Sequence, residues 1–397
     1  MRNRILTIFL IINKFYSRKN DKSSKMNKNN NIPIHINTEK PFYYPGDTVC
    51  GHILLNFESS NFPGNQLIFK IKGKEETSWN STNAHDPSLV DKKTGLIIFY
   101  NHRFPFHIWN EGFVPAGQYD FPFSFNLKDF LPGSYSHKGD LNDQRTKTTA
   151  VVKYKLKAEC LAMDYKKEMS KIKCSRELFV REKKANIFSK GEILLPMSSC
   201  LCISQGSCQI RCYFEKNAYE SGENANVFCE IDNTGGSKSL ENLSFELKNQ
   251  IILRTDDGET KEYNSIICKK EMQGIASGQK AEGPNKKAIS VSLTPSNLNQ
   301  TKDYEEVKME DDDNENENDK LQESSTGQLI NSSYFLEVLA KSSGTLTCSS
   351  QKTTKIPVMI FKKPKANKKM QGEWNPKVME TTNLVITEAN FYRKSNK

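Results

Sequence analysis

Residues 112–127 read GFVPAGQYDFPFSFNL, a turn running into a strand whose two faces differ. Phe121, Phe123 and Phe125 fall at i, i+2 and i+4 and so share one face, while Pro122, Ser124 and Asn126 take the other. Pro115 and Gly117 supply the turn, since proline presets one backbone angle and glycine accepts positive φ. Pro122 has no N–H for a ladder, which predicts a sheet edge or an irregularity at this point. An aromatic stripe on one face needs a second sheet to cover it, and the expectation is a β-sandwich.

Working outward, short alternating runs recur. Leu67, Phe69 and Ile71 alternate with Ile68, Lys70 and Lys72, and Val152, Tyr154, Leu156 and Ala158 with Lys153, Lys155 and Lys157. Ile53 to Phe57 and Leu96 to Tyr100 continue the series. A chain of 397 residues is too long for one sandwich of roughly 100 residues, so two units are expected. The landmarks repeat in order. Tyr43, Gly46 and Asp47 return as Tyr219, Gly222 and Glu223, Gly117 returns as Gly278, the Phe stripe as Ile289, Val291 and Leu293, and Tyr154 as Tyr334. The fold class is all-β, two tandem immunoglobulin-like β-sandwich domains, with disordered ends and an acidic loop. The expected boundaries are a basic disordered segment over 1–31, a first sandwich over 32–183, a connector over 184–190, a second sandwich over 191–363 and a basic tail over 364–397. The acidic loop is placed at about 296–327 within the second sandwich. Leu384 to Ile386 and Phe391 suggest one more short strand, separate from the sandwiches.

The formal charge of +10 looks at first like a nucleic-acid signal, but it resides mostly in the ends. Residues 1–30 carry +7 and 361–397 carry +6, against −8 over 301–319. No stripe of interleaved basic and aromatic residues marks a nucleic-acid groove. The ten cysteines are scattered without a C-x-x-C, which fits reduced thiols; Cys200, Cys202, Cys208 and Cys212 cluster, but in no zinc-finger spacing. His85 beside Asp86, and His102 with His107, are the available acid–base candidates. Without a G-x-S-x-G, an H-E-x-x-H or a phosphate-cradling glycine loop, they read as loop or edge-strand histidines, and neither catalysis nor a cofactor or metal is expected. The apolar run Ile5 to Ile12 is too short to cross a bilayer, and Met26 is an alternative start. Lys362, Lys363, Lys365, Lys368 and Lys369 are candidate contacts for anionic lipid. A further expectation is that Glu305 to Asp319 transiently covers them.

The stretches YYPGDTVCGHILLNF, LIFKIKGKEETSW, GFVPAGQYDFPFSFNL and VVKYKLKAEC, followed by YESGENANVFCEIDNTGG, SYFLEVLAKSSG and KIPVMIF, together resemble the arrestin family, and within it the α-arrestins or arrestin-domain-containing proteins. The resemblance implies two arrestin-type sandwiches and a non-enzymatic adaptor in protein transport. Such an adaptor links membrane-protein cargo tails to endocytic, endosomal sorting or ubiquitin-ligase machinery, in the cytoplasm and peripheral to the plasma membrane or endosomes. The alternative is an arrestin-fold subunit of a retromer-like endosomal coat. The chain lacks adjacent prolines, and so lacks the Pro-Pro-x-Tyr route to ubiquitin ligases. Receptor-desensitising arrestins have an Arg-Asp pair where this chain reads Gly46 and Asp47, and paired lysines where it reads Pro33 to Ile36. Their charged polar core and phosphate sensor are therefore not expected here. Nothing in the sequence picks out cargo-contacting side chains.

Overall fold

Alternation of apolar and polar residues produces strands almost throughout the computed structural model. It describes residues 33–57, 64–82, 90–139, 148–163, 168–183, 190–198, 204–294, 321–343, 351–363 and 374–386. Strands are numbered in chain order and fall into four sheets. The first sheet runs β1 (Ile34–Thr38), β2 (Thr48–Phe57) and β5 (Gly117–Asn126), all antiparallel. The second runs β4 (Val90–Ile108), β3 (Gln66–Thr82) and β7 (Thr148–Met163), with β6 (Tyr135–Gly139) and β8 (Glu168–Leu178) on the far side of β7. The third is β9 (Lys190–Ser198), β10 (Ser204–Phe214) and β12 (Asn224–Asp232), bordered by β15 (Lys280–Ala281) and β16 (Lys287–Ser292). The fourth is β11 (Ala218–Glu220), β19 (Gln351–Phe361), β18 (Ile330–Ser342), β13 (Leu240–Arg254) and β14 (Thr260–Gln273), with β17 (Ser325–Thr326) on β18. One 3-10 turn, Gly283–Asn285, is the helical content of the described residues.

The first two sheets close on one core and the last two on another. Phe121, Phe123 and Phe125 are buried as their alternation requires, and the Phe123 ring meets Phe69 of the opposite sheet at 4.7 Å between centroids. In the second core Ile210, Val227, Phe245 and Leu336 play the same part.

The repeated landmarks are built the same way in both copies. Gly46 and Gly222 hold φ of +83° and +93°, where a Cβ would be strained, and their amides donate to Lys128 O and Leu293 O at 3.1 and 3.0 Å. The carboxylates after them accept from the backbone three residues back: Asp47 from Tyr44 N at 3.0 Å, Glu223 from Glu220 N at 3.3 Å. The tyrosines accept from Lys40 N and Lys216 N, each at 3.1 Å. Tyr154 and Tyr334 each donate to a backbone carbonyl, of Pro132 and of Gln322, at 2.9 Å.

The C-terminal segment departs from expectation. It does not form a strand apart from the sandwiches. Instead β20 (Lys377–Val378) and β21 (Thr382–Asn383) run parallel to β5 and extend the first sheet. The cause is the outer edge of β5, whose Asp120 and Ser124 carbonyls accept from Met379 N and Leu384 N, both at 2.8 Å. Leu384 is buried in the first core, with Met379 and Ile386 packed against it. Pro122 has the same phase along β5 as Asp120 and Ser124, so it presents a ring without an N–H to the incoming segment. There the pairing lapses: Met379, Glu380 and Thr381 pass opposite only Phe121 and Pro122, a bulge. Phe391 lies outside the described residues. At the other end of the second sandwich's insertion, Leu321 to Ser325 is packed, with Leu321, Glu323, Ser324 and Ser325 buried.

Candidate functional site

The two sandwiches meet along a junction that holds Glu75, Arg181 and Glu323, three of the four buried charged side chains among the described residues. Past β8, Val180 bridges Tyr43, and Arg181 N donates to Tyr43 O at 2.8 Å while Ser134 Oγ accepts from Val180 N at 3.0 Å. The backbone so pinned aims the Arg181 side chain into the second sandwich, where it is 8% exposed. Its guanidinium lies 3.8 Å from the Phe42 ring centroid and 5.0 Å from that of Phe361. Nη2 donates to Glu220 Oε1 at 2.9 Å and to Lys362 O at 3.0 Å. Glu323 is buried beside it, and burial pushes its carboxyl up to about 8, with the charges of Arg181 and Lys362 and the Lys362 amide offsetting part of the effect. Neighbouring contacts fix the segment that carries Glu323. Ser324 N donates to Ile360 O at 2.8 Å, and Ser325 Oγ donates to Gly133 O, in the first sandwich, at 2.9 Å.

A second row of polar contacts runs along the ends of β3 and β4. Glu75, wholly buried on β3, accepts from three consecutive amides of the second sandwich: Gln328 N at 3.2 Å, Leu329 N at 2.9 Å and Ile330 N at 2.7 Å. Burial raises the pKa of its carboxyl, and these amides and Arg254 work against the rise. Thr77 Oγ1 donates to Arg254 O at 2.6 Å, Asp256 Oδ1 accepts from Leu96 N at 3.1 Å, and Lys93 pairs with Glu259 at 2.6 Å. Between the rows, Ile251, Leu253, Tyr263, Leu329 and Ile330 of the second sandwich are continuous with the first core.

This arrangement can hold two bodies in one orientation and can respond to protonation. It contains no nucleophile set against a base. Among the described residues no group of three His, Cys, Asp or Glu is placed to hold a metal, and no helix is long and apolar enough to cross a membrane. His102 and His107 lie on β4, at an edge of the second sheet. His107 packs against Trp109 and Phe121, at 4.6 and 5.2 Å between centroids, and burial lowers its pKa. Cys208 and Cys212 are buried on β10, and Cys212 faces Cys229 of β12 with sulfurs 2.6 Å apart. Lys362 is half-buried at the junction and Lys363 is exposed. Lys365, Lys368 and Lys369, the run Glu305 to Asp319, His85, Asp86, Cys200 and Cys202 lie outside the described residues.

The absence of an Arg-Asp pair at Gly46 and Asp47 argued against a charged core, and the structure corrects that reading. Asp47 caps its own turn, and the charged cluster is assembled elsewhere, from Arg181, Glu220 and Glu323 on three separate stretches. The available signal was an arginine directly after the apolar run Leu178-Phe179-Val180, which reads locally as the start of a connector. Glu323 gave a weaker one, sitting four residues past the acidic run.

Residues 32–183 match the family described as Arrestin (or S-antigen), N-terminal domain, and residues 204–365 that described as Arrestin (or S-antigen), C-terminal domain. Over 240 residues the chain is 25% identical to arrestin domain-containing protein A of Dictyostelium discoideum, an alignment covering 57% of this chain and 38% of that protein. The chain thus spans well under half the length of that relative. Arg181 lies near the end of the first matched stretch, and Glu220 and Glu323 lie within the second.

Proposed function

This chain belongs to the arrestin family through both of its domains, and from that premise we propose that it is a non-enzymatic adaptor joining membrane-protein cargo to sorting machinery. The observation that supports the reading is the junction. Arg181 on Glu220 and Glu75 on three amides dock the sandwiches as one body, so surfaces on both are presented to partners at fixed separation. The partners are cargo tails on one side and endocytic, endosomal or ubiquitin-ligase proteins on the other. The work is done in the cytoplasm at the plasma membrane or endosomes. Lys362, Lys363, Lys365, Lys368 and Lys369 are proposed to contact anionic headgroups. Proximity labelling with the tagged full chain in its own cells tests this. Membrane proteins together with sorting or ligase components are expected. Recovery of a constant set of coat subunits would replace the adaptor with a retromer-like coat role, and labelling of neither class would overturn both.

A further inference from the structure

The outer face of the second sheet carries an excess of positive charge. Lys70, Lys72 and Lys74 of β3 stand directly opposite Lys157, Lys155 and Lys153 of β7. Arg103 of β4 adjoins Lys70, and Lys173 of β8 adjoins Glu159. Alternation puts all of these side chains on the face away from the core, a grid about 14 Å long with strands about 4.8 Å apart. Three carboxylates interrupt it. Glu159 is buried under Lys70, at 2.6 Å, and Lys157. Glu76 pairs with Lys74, and Glu177 with Lys153 at 3.4 Å. Lys72, Lys155, Arg103 and Lys173 have no carboxylate partner among the described residues.

Like charges directly across a ladder destabilise a sheet, and the second copy shows the ordinary arrangement. Gly73 pairs with Tyr154 as Asn249 pairs with Tyr334, so the six lysine positions correspond to Glu246, Lys248, Gln250, Ser333, Phe335 and Glu337. There Lys248 bridges Glu246, at 3.1 Å, and Glu337, while Lys269 meets Glu246 at 3.3 Å. The same framework thus sets one lysine between two glutamates at these positions in one copy, and in the other sets six lysines against three carboxylates. Packing among the described residues gives no reason for the difference.

The geometry points to this lysine grid as a docking surface for an anionic lipid bilayer. Its chemistry selects that partner. Lysine is a hydrated point charge suited to a diffuse field of phosphates, and the grid holds one arginine fork at its margin, which disfavours bidentate recognition of a phosphorylated peptide. The six positions and Arg103 include no aromatic platform on which bases would stack. A sheet face meets a planar surface with many charges at once, each contributing to attraction by an anionic leaflet. The inference deepens the proposed adaptor role and rests on it for the choice of a membrane. Vesicle binding by purified protein needs no cargo, so the two can fail separately.

The test is co-sedimentation of the full chain with phosphatidylcholine vesicles, with and without phosphatidylserine. Wild type should prefer the anionic vesicles and lose them as salt rises. Lys72→Gln, Lys74→Gln, Lys153→Gln and Lys155→Gln together, sparing the lysines on Glu159, should weaken binding about tenfold or more. Lys269→Gln, Lys270→Gln, Lys352→Gln and Lys355→Gln, an equal change in net charge on the second sandwich, should leave it close to wild type. The patch variant should melt no lower than wild type, because repulsion across the ladder is relieved. If it fails to fold, Lys72→Gln with Lys155→Gln replaces it and should show a smaller loss in the same direction. Equal losses in patch and control variants would overturn the inference. So would wild-type indifference to phosphatidylserine, or retention by an acidic peptide that the patch variant loses while vesicle binding is kept.

Discussion

Arg181 shows how much one side chain can carry when it is buried. It donates to Glu220, lies over Phe42 and holds down the pKa of buried Glu323, so removing it leaves that carboxyl more firmly protonated in the interior. Arg181→Gln should cost about 1.5–3 kcal/mol, the range for losing a hydrogen bond to a charged group, because Glu220 is 39% exposed and regains water. Adding Glu323→Gln should recover part of that loss, as read from urea midpoints. The sign of the pH effect follows from Glu323 itself. Its carboxyl titrates at about 8 in the fold and near the ordinary glutamate value of about 4.3 when unfolded. The stability it contributes is therefore whole below about pH 4, declines as pH rises toward 8 and is gone above that. Wild type should lose stability between pH 5 and 8 more steeply than Glu323→Gln, and parallel profiles would remove Glu323 from the account. At this scale the turn residues were legible, because the Tyr43 hydroxyl accepts from Lys40 N, Asp47 accepts from Tyr44 N and Gly46 takes a positive φ, all within the turn. Arg181 and Glu75 were not, since their partners lie far along the chain.

Among the elements, the strands that alternate over five residues or more were readable, and the two-residue ones were not. β20 and β21 show no periodicity, and they exist because β5 offers them carbonyls and a rim of aromatic surface. Pro122 signalled the irregularity without naming what would meet it. Interrupted pairing makes this segment depend on its one buried anchor. Leu384→Ala should therefore release it: amide protection at Met379 and Leu384 should vanish in hydrogen exchange while the β2–β5 ladder keeps its own. Undocking costs the fold little, so the melting temperature should move only slightly. Protection that survives the substitution would mean that the backbone bridges suffice.

Taken as a whole, the molecule was foreseen as two sandwiches in tandem, and internal repetition was enough for that. What repetition could not show was the joint, because an interface between copies has no counterpart inside either. The joint matters for how the chain unfolds. Ile251, Leu253, Tyr263, Leu329 and Ile330 continue the first core, and Glu75 and Arg181 tie the same surfaces. Calorimetry should give a single transition for the intact chain, and a protease cut between the sandwiches should leave the two parts associated on gel filtration. Two independent transitions would mean that each sandwich stands alone. The return of residues 377–384 to β5 also sets a clock on manufacture. Strand β5 ends at Asn126, and at roughly 5–20 residues per second about 12–50 s of translation separate it from the segment that covers its edge. For that interval the newborn first sandwich emerges with an open flank, a window in which a chaperone, or a neighbouring nascent chain on the same message, can reach β5 before its own partner has been made.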